Sequence, residues 1–327
     1  MFLPELKFSL WADFIERDFL DRGFRELIDA GVINGATSNP AIFKGSILSS
    51  PAYKEQLGQL AGRSPKEKYE ALAIYDIQKA ADLLRPLYDR GDDGYVSIEV
   101  DPHLCDDTTG TLAEGRRLYR QINRPNVMIK VPATEAGYAA MEGLAADGIS
   151  VNATLVFSKG QAVACARAFQ KAFERSGEPA DTVISVFVSR FDRALDEILA
   201  AKGVTPALTG IYNASAIYEA VEAMGVPKCR TLFASTGVKG DALRPSYYVD
   251  EMLAANTVNT APIDTIKAFV AGGEKAARLP IASGRIAEHF AALKGAEVDF
   301  DAVSQQLVSD GLSAFKEAFD EILDALK

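Results

Sequence analysis

Lys130 lies inside the run Val127, Met128, Ile129, Val131 and Pro132, which reads as a strand buried on both faces. An ammonium in such surroundings is costly unless it is paired or gives up its proton. Burial disfavours the charged form of a lysine, and a neutral amine attacks a carbonyl to form a Schiff base. The protonated imine then draws electrons, so a neighbouring C–C bond can break with neither a metal nor an organic cofactor. Two more groups are needed. One carries protons during imine formation and hydrolysis, and the other takes the proton from the hydroxyl on the carbon that leaves. Glu99 and Asp13 are carboxylates at the ends of apolar runs of their own and are available for both tasks.

Side chains alternate faces along a strand, so residues two apart point the same way. Ser97, Glu99 and Asp101 then share a face, as do Asn152 with Thr154, Ser185 with Phe187, Met128 with Lys130, and Ser9 with Trp11 and Asp13. If the strands close into a barrel, this polar set faces the axis, because the outer face is covered by apolar helices that could not satisfy it. Lys130, Glu99, Asp13, Asn39, Asn152, Thr154 and Ser185 are therefore expected around one pocket at the C-terminal ends of their strands. There the Asn and Ser side chains can hold sugar hydroxyls. A polar network with Lys130 merely paired to Glu99 is the plainer alternative, and seven convergent groups weigh against it.

The elements that must position these residues are short apolar runs alternating with helical periodicity. Strands are expected at 8–13, 35–39, 95–101, 127–132, 150–157, 183–189, 231–236 and 257–260, and helices at 67–88, 112–122, 136–146, 159–175, 194–201 and 215–224. Eight strands, most followed by helical sequence, predict a single (β/α)8 barrel domain over 1–327, with a doubly wound open sheet as the alternative. The stretch 237–256 is long for a strand-to-helix connection and reads as an active-site loop. In the extension 299–327, Val303, Leu307, Phe315, Phe319, Ile322 and Leu326 recur at helical spacing, so this helix should pack over the barrel. Trp11 should fill the barrel interior. The charged run 67–70 reads as a solvated helix face, and His103 as a loop residue.

Composition narrows the function. The 327 residues carry a net charge of −10, with a pI near 4.9, which argues against general nucleic-acid or anionic-membrane binding. Cys105, Cys165 and Cys229 are far apart, and only His103 and His289 are histidines, so no metal site is readable. Glu5 and Lys7 interrupt the N-terminal apolar stretch, no run is long enough to span a bilayer, and a reduced cytoplasmic protein is expected. The run "GTLAEGRRL" (110–118) has the wrong spacing for a nucleotide fingerprint. A non-catalytic sugar-phosphate binder or scaffold would have no use for a dehydrated lysine beside two carboxylates.

The segments "LWADF" (10–14), "GATSNPAIFKGSI" (35–47), "VSIEVDP" (96–102), "VMIKVPAT" (127–134), "VNATLVFS" (151–158), "ISVFVSRFD" (184–192), "FASTGVKG" (233–240) and "ANTVNTAP" (255–262) run in order along nearly the whole chain. Together they resemble the transaldolases. The resemblance implies transfer of a dihydroxyacetone unit from sedoheptulose 7-phosphate to glyceraldehyde 3-phosphate, with phosphorylated ketoses and aldoses as partners and no cofactor. It implies Lys130 as the Schiff-base lysine, Asp13 as the acid/base of C–C cleavage, and Glu99 with Thr154 as holders of a catalytic water. Asn39, Asn152 and Ser185 would hold substrate hydroxyls and the three-carbon unit, and Arg190 the phosphate. Many transaldolases have a second phosphate-binding arginine after the seventh strand. Here Gly237 stands near that place, and Lys239 is its candidate replacement, as in a longer-loop bacterial subgroup. The related fructose 6-phosphate aldolases carry Gln and Tyr where this chain has Glu99 and Phe187, which favours transfer over release of free dihydroxyacetone.

Overall fold

A computed structural model of the chain describes residues 1–272 and 275–327. Eight parallel strands close into one barrel, each paired with the next and the eighth with the first. They are β1 (Ser9–Ala12), β2 (Gly35–Thr37), β3 (Tyr95–Glu99), β4 (Val127–Pro132), β5 (Val151–Val156), β6 (Thr182–Phe187), β7 (Cys229–Ala234) and β8 (Thr257–Ala261). Helices lie between successive strands, and the helix Phe300–Ala325 follows them all. This is the (β/α)8 barrel expected from the alternation, and it disposes of the open sheet.

The barrel interior has two levels. Trp11, Tyr95, Met128, Val183, Leu232 and Val258 fill the lower interior and belong to a buried apolar cluster that continues upward to Phe187 and Phe315. Trp11 is fully buried, as expected, and donates its indole N–H to Asp93 at 3.0 Å. Arg230 completes this floor with bonds to Asp93, to Ser9 and to the Lys7 and Thr257 carbonyls. The polar residues around Lys130 lie nearer the C-terminal ends of the strands.

Several helices begin right at that mouth because a capping side chain follows the strand. Asn39 accepts from Ile42 N at the start of Pro40–Ser49, and Thr134 accepts from Gly137 N at the start of Glu135–Ala146. Ser158 and Gln161 make a reciprocal capping box for Lys159–Ser176. The positive ends of these helices therefore face the site, which suits anionic ligands.

Five expectations are corrected. The seventh strand is Cys229–Ala234 rather than 231–236, and the sixth ends at Phe187, because Ser189 already opens the helix Ser189–Ala201. The fifth strand is not regular: its pairing with β6 shifts between Ala153 and Val156, and Leu155 has φ 57°. A bulky residue in that region is strained, and the kink ends strict alternation at Thr154. The connection 237–256 contains a helix, Tyr247–Glu251, whose buried Tyr248 donates to Asp192 at 2.9 Å, tying that part to the helical layer. In the run 67–70, Tyr69 turns inward between the rings of Phe43 and Phe319, so only part of that run is solvated.

The close fit of the floor gives a direct test. A Cβ at Gly35 would stand 2.7 Å from the Trp11 ring, whereas one at Gly45, on an exposed helix face, would meet nothing within 4 Å. Gly35→Ala should lose about 1–3 kcal/mol in urea unfolding from overpacking. Gly45→Ala should be neutral or gain up to about 1 kcal/mol from helix propensity.

Candidate active site

Glu99, Lys130 and Asn152 stand in register on three adjacent strands, β3, β4 and β5. Lys130 is 5% exposed and Glu99 7%, while Asn152 and Thr154 are fully buried. Lys130 Nζ donates to the Ser38 carbonyl at 3.1 Å and lies 3.7 Å from Glu99 Oε2. That distance is an ion pair but too long for a hydrogen bond. The two Glu99 carboxylate oxygens and the Thr154 hydroxyl have no hydrogen-bond partner among the described residues. Three buried polar atoms near the amine thus keep hydrogen-bonding capacity for a water or a substrate.

Asp13 follows β1 and is half-buried at the mouth. Its carboxyl accepts from Thr37 at 2.7 Å, and Thr37 in turn bonds Thr260 at 2.6 Å. Burial raises the Asp13 pKa above the ordinary aspartate range, while the Lys130 charge and the Thr37 hydrogen bond pull it back. Glu99 is pushed up from 4.5 to about 7 by burial, opposed by Lys130 and aided by the charge of Asp13. An enclosed amine thus faces one carboxyl that can exchange protons near neutrality and a second in reach of its field.

The other residues divide. Ser185 donates to Asn152 at 2.6 Å, and Asn152 donates to Ser97 at 3.0 Å, so a polar chain crosses the interior from β6 to β3. Phe187 packs on Phe157 with ring centroids 5.2 Å apart. The Arg190 guanidinium lies over the Phe187 ring at 5.1 Å and makes no hydrogen bond or ion pair among the described residues. Burial and the nearby Arg193 lower its pKa, and Asp310 opposes them. Asn39 spends its side-chain oxygen on the helix cap at 3.0 Å. Lys239 is exposed and lines a cavity of about 460 Å³ with Asp192, Arg193, Asp196 and Tyr248, a group that includes none of the residues around Lys130. His103 belongs to a short 3-10 turn, and its ring meets Asp320 of the C-terminal helix at 2.8 Å.

Thr37 and the Ser38 carbonyl also serve the site, although sequence reasoning assigns them no role, while Ser97, expected only to face the axis, accepts from Asn152. Strand parity could have found Thr37, which lies two residues past Gly35 and two before Asn39. The Ser38 contact uses backbone and has no side-chain signal. Phe315, whose ring centroid is 6.0 Å from Lys130 Nζ, is visible in the sequence only as part of an apolar stripe.

Fold and site together define a barrel enzyme built around a buried amine–carboxylate centre. The family model for transaldolase/fructose-6-phosphate aldolase matches residues 10–326. A Campylobacter jejuni subsp. jejuni (strain 81-176) protein named transaldolase is 46% identical over 330 residues, covering 98% of this chain and 99% of that protein. A Helicobacter pylori (strain ATCC 700392 / 26695) protein of the same name is 40% identical over 320 residues, covering 98% and 99%. The chain belongs to the transaldolase/fructose-6-phosphate aldolase family.

The raised Glu99 pKa has a consequence for stability. The folded protein keeps a proton on Glu99 that the unfolded chain releases between pH 4.5 and about 7. Folding stability contributed by this group therefore falls as pH rises through that window, and the loss is complete above it. Urea unfolding of the parent and of Glu99→Gln at pH 5 and pH 8.5 should show the variant gaining on the parent at the higher pH. A tenfold change in proton affinity is worth about 1.4 kcal/mol, so the gain should be on the order of a few kcal/mol. Parallel pH dependences would mean that Glu99 titrates as an ordinary carboxylate.

Proposed function

We propose that this chain is a cytoplasmic transaldolase of the non-oxidative pentose phosphate pathway. It moves a dihydroxyacetone unit from sedoheptulose 7-phosphate to glyceraldehyde 3-phosphate, giving erythrose 4-phosphate and fructose 6-phosphate. The observation that carries the reading is the enclosed Lys130 amine, 3.7 Å from a carboxyl held near neutrality. The family membership and the transaldolase relatives supply the reaction class. Three unpaired cysteines fit a reducing compartment.

In this reading the Lys130 amine adds to the ketose carbonyl, and the carbinolamine loses water to become an imine. Glu99, through a water shared with Thr154, carries protons into and out of that step. Asp13 takes the proton of the hydroxyl on the carbon being released, the C–C bond breaks towards the imine, and the aldose leaves. The bond electrons remain on the three-carbon unit as an enamine. That enamine attacks the acceptor aldehyde, Asp13 returns its proton to the new hydroxyl, and hydrolysis of the imine frees the product ketose and Lys130. Asn39, Asn152 and Ser185 hold hydroxyls of the substrate. Arg190, which lacks a carboxylate partner among the described residues, receives the phosphate through charge-assisted hydrogen bonds.

The family also covers fructose 6-phosphate aldolases, which release the three-carbon unit. Phe187 favours transfer, since a phenyl ring packed on Phe157 cannot activate water for release of the intermediate. With fructose 6-phosphate alone, the enzyme should form little free dihydroxyacetone, and adding glyceraldehyde 3-phosphate should switch turnover on. Phe187→Tyr should raise acceptor-independent release, measured by enzymatic assay of dihydroxyacetone. Rapid release by the parent without acceptor would assign the aldolase activity instead.

A further inference from the structure

The C-terminal helix Phe300–Ala325 turns one face towards the site, and Phe315 on that face is buried near Lys130. One turn earlier on the same face stands Gly311, also buried. Glycine is disfavoured in a helix interior relative to alanine, and Gly311 is not among the residues with positive φ, so its backbone does not require it. Space does. A Cβ at 311 would stand 2.8 Å from Leu155 Cδ2 and 3.3 Å from Arg190 Nη1.

Neither neighbour is free to give way. Leu155 sits at the β5 irregularity with φ 57°, which aims its side chain out of the strand pattern and onto the helix. The Arg190 guanidinium lies over Phe187, which is itself wedged against Phe157, and Phe157 meets Phe191, whose ring stacks on Phe300 at 4.8 Å. Arg193 and Asp310 act on the Arg190 charge, but neither is in ion-pair contact with it among the described residues. Packing, rather than a salt bridge, therefore sets where this guanidinium points.

We propose that Gly311 is a positioning residue of the phosphate subsite: its missing Cβ lets the C-terminal helix close on Leu155 and Arg190, holding the Arg190 guanidinium where the substrate phosphate binds. This rests on the reading of Arg190 as the phosphate ligand. The helix thereby does more than cover the barrel. It forms the wall that makes a sugar phosphate a better donor than the free sugar.

Steady-state kinetics of Gly311→Ala with fructose 6-phosphate and with fructose as donors test this, alongside thermal unfolding. The KM for fructose 6-phosphate should rise about tenfold, part of what a charge-assisted hydrogen bond is worth. The kcat and the KM for fructose should stay nearly constant, while the Tm falls modestly from crowding against Leu155. Adding Leu155→Ala to Gly311→Ala removes the nearest clash and should restore most of the KM. An unchanged KM for fructose 6-phosphate in Gly311→Ala, when Arg190→Ala does raise it, would overturn the proposal alone. Equal losses with both donors would reduce Gly311 to a packing role and also overturn it. If Arg190→Ala itself leaves the KM for fructose 6-phosphate unchanged, the phosphate role of Arg190 fails and the proposal falls with it.

Discussion

Everything in the upper barrel answers to one constraint, a lysine side chain enclosed among buried polar groups. Lys130 has the Ser38 carbonyl at hydrogen-bond distance and Glu99 at 3.7 Å, close enough for attraction but without a direct bond. A tight Lys–Glu pair would be a purely structural solution, with both charges fixed. Here desolvation keeps Glu99 at about 7, so its charge is not locked in place. The arrangement costs stability at neutral pH and retains reactivity, a trade expected at catalytic centres.

The surrounding layers follow from that constraint. The apolar floor under Trp11 and the Arg230–Asp93 cluster closes the N-terminal end of the barrel. The polar chain Ser185–Asn152–Ser97 runs from β6 to β3, on both strands that flank Lys130. Above, helix N-termini face the mouth, and the C-terminal helix brings Phe315 near the amine and Gly311 against Leu155 and Arg190. An acidic protein with a net charge of −10 can thus accept anions because a few positive ends and one guanidinium, unpartnered among the described residues, are concentrated locally.

How much of this is legible in the sequence depends on whether a periodic signal exists. Strand parity alone groups Glu99, Lys130, Asn152 and Ser185, because a closed barrel leaves buried polar side chains only one face to occupy. Parity stops at Leu155, where the irregularity with positive φ coincides with a contact to a helix more than 150 residues later in the chain. No local pattern announces that contact. Helices such as Pro40–Ser49 escape periodicity because glycine and serine dilute their apolar spacing, although Asn39 and Pro40 give a clear start signal. Asn39 illustrates a further limit. Its type suits both a hydroxyl ligand and a helix cap, and only the folded chain shows that its oxygen serves the cap. Lys239 stands out by chain position, yet its place in three dimensions is an exposed cavity beside the outer helices.

The central claim is that Lys130, and no other lysine, is the nucleophile, and reductive trapping tests it most directly. The protein is incubated with fructose 6-phosphate and sodium borohydride, digested, and mapped by peptide mass spectrometry. The expected result is a reduced three-carbon adduct confined to the peptide that contains Lys130 and absent from Lys130→Ala, whose far-UV spectrum stays that of the parent. An adduct on a different lysine, or an active enzyme that traps none, would contradict the claim.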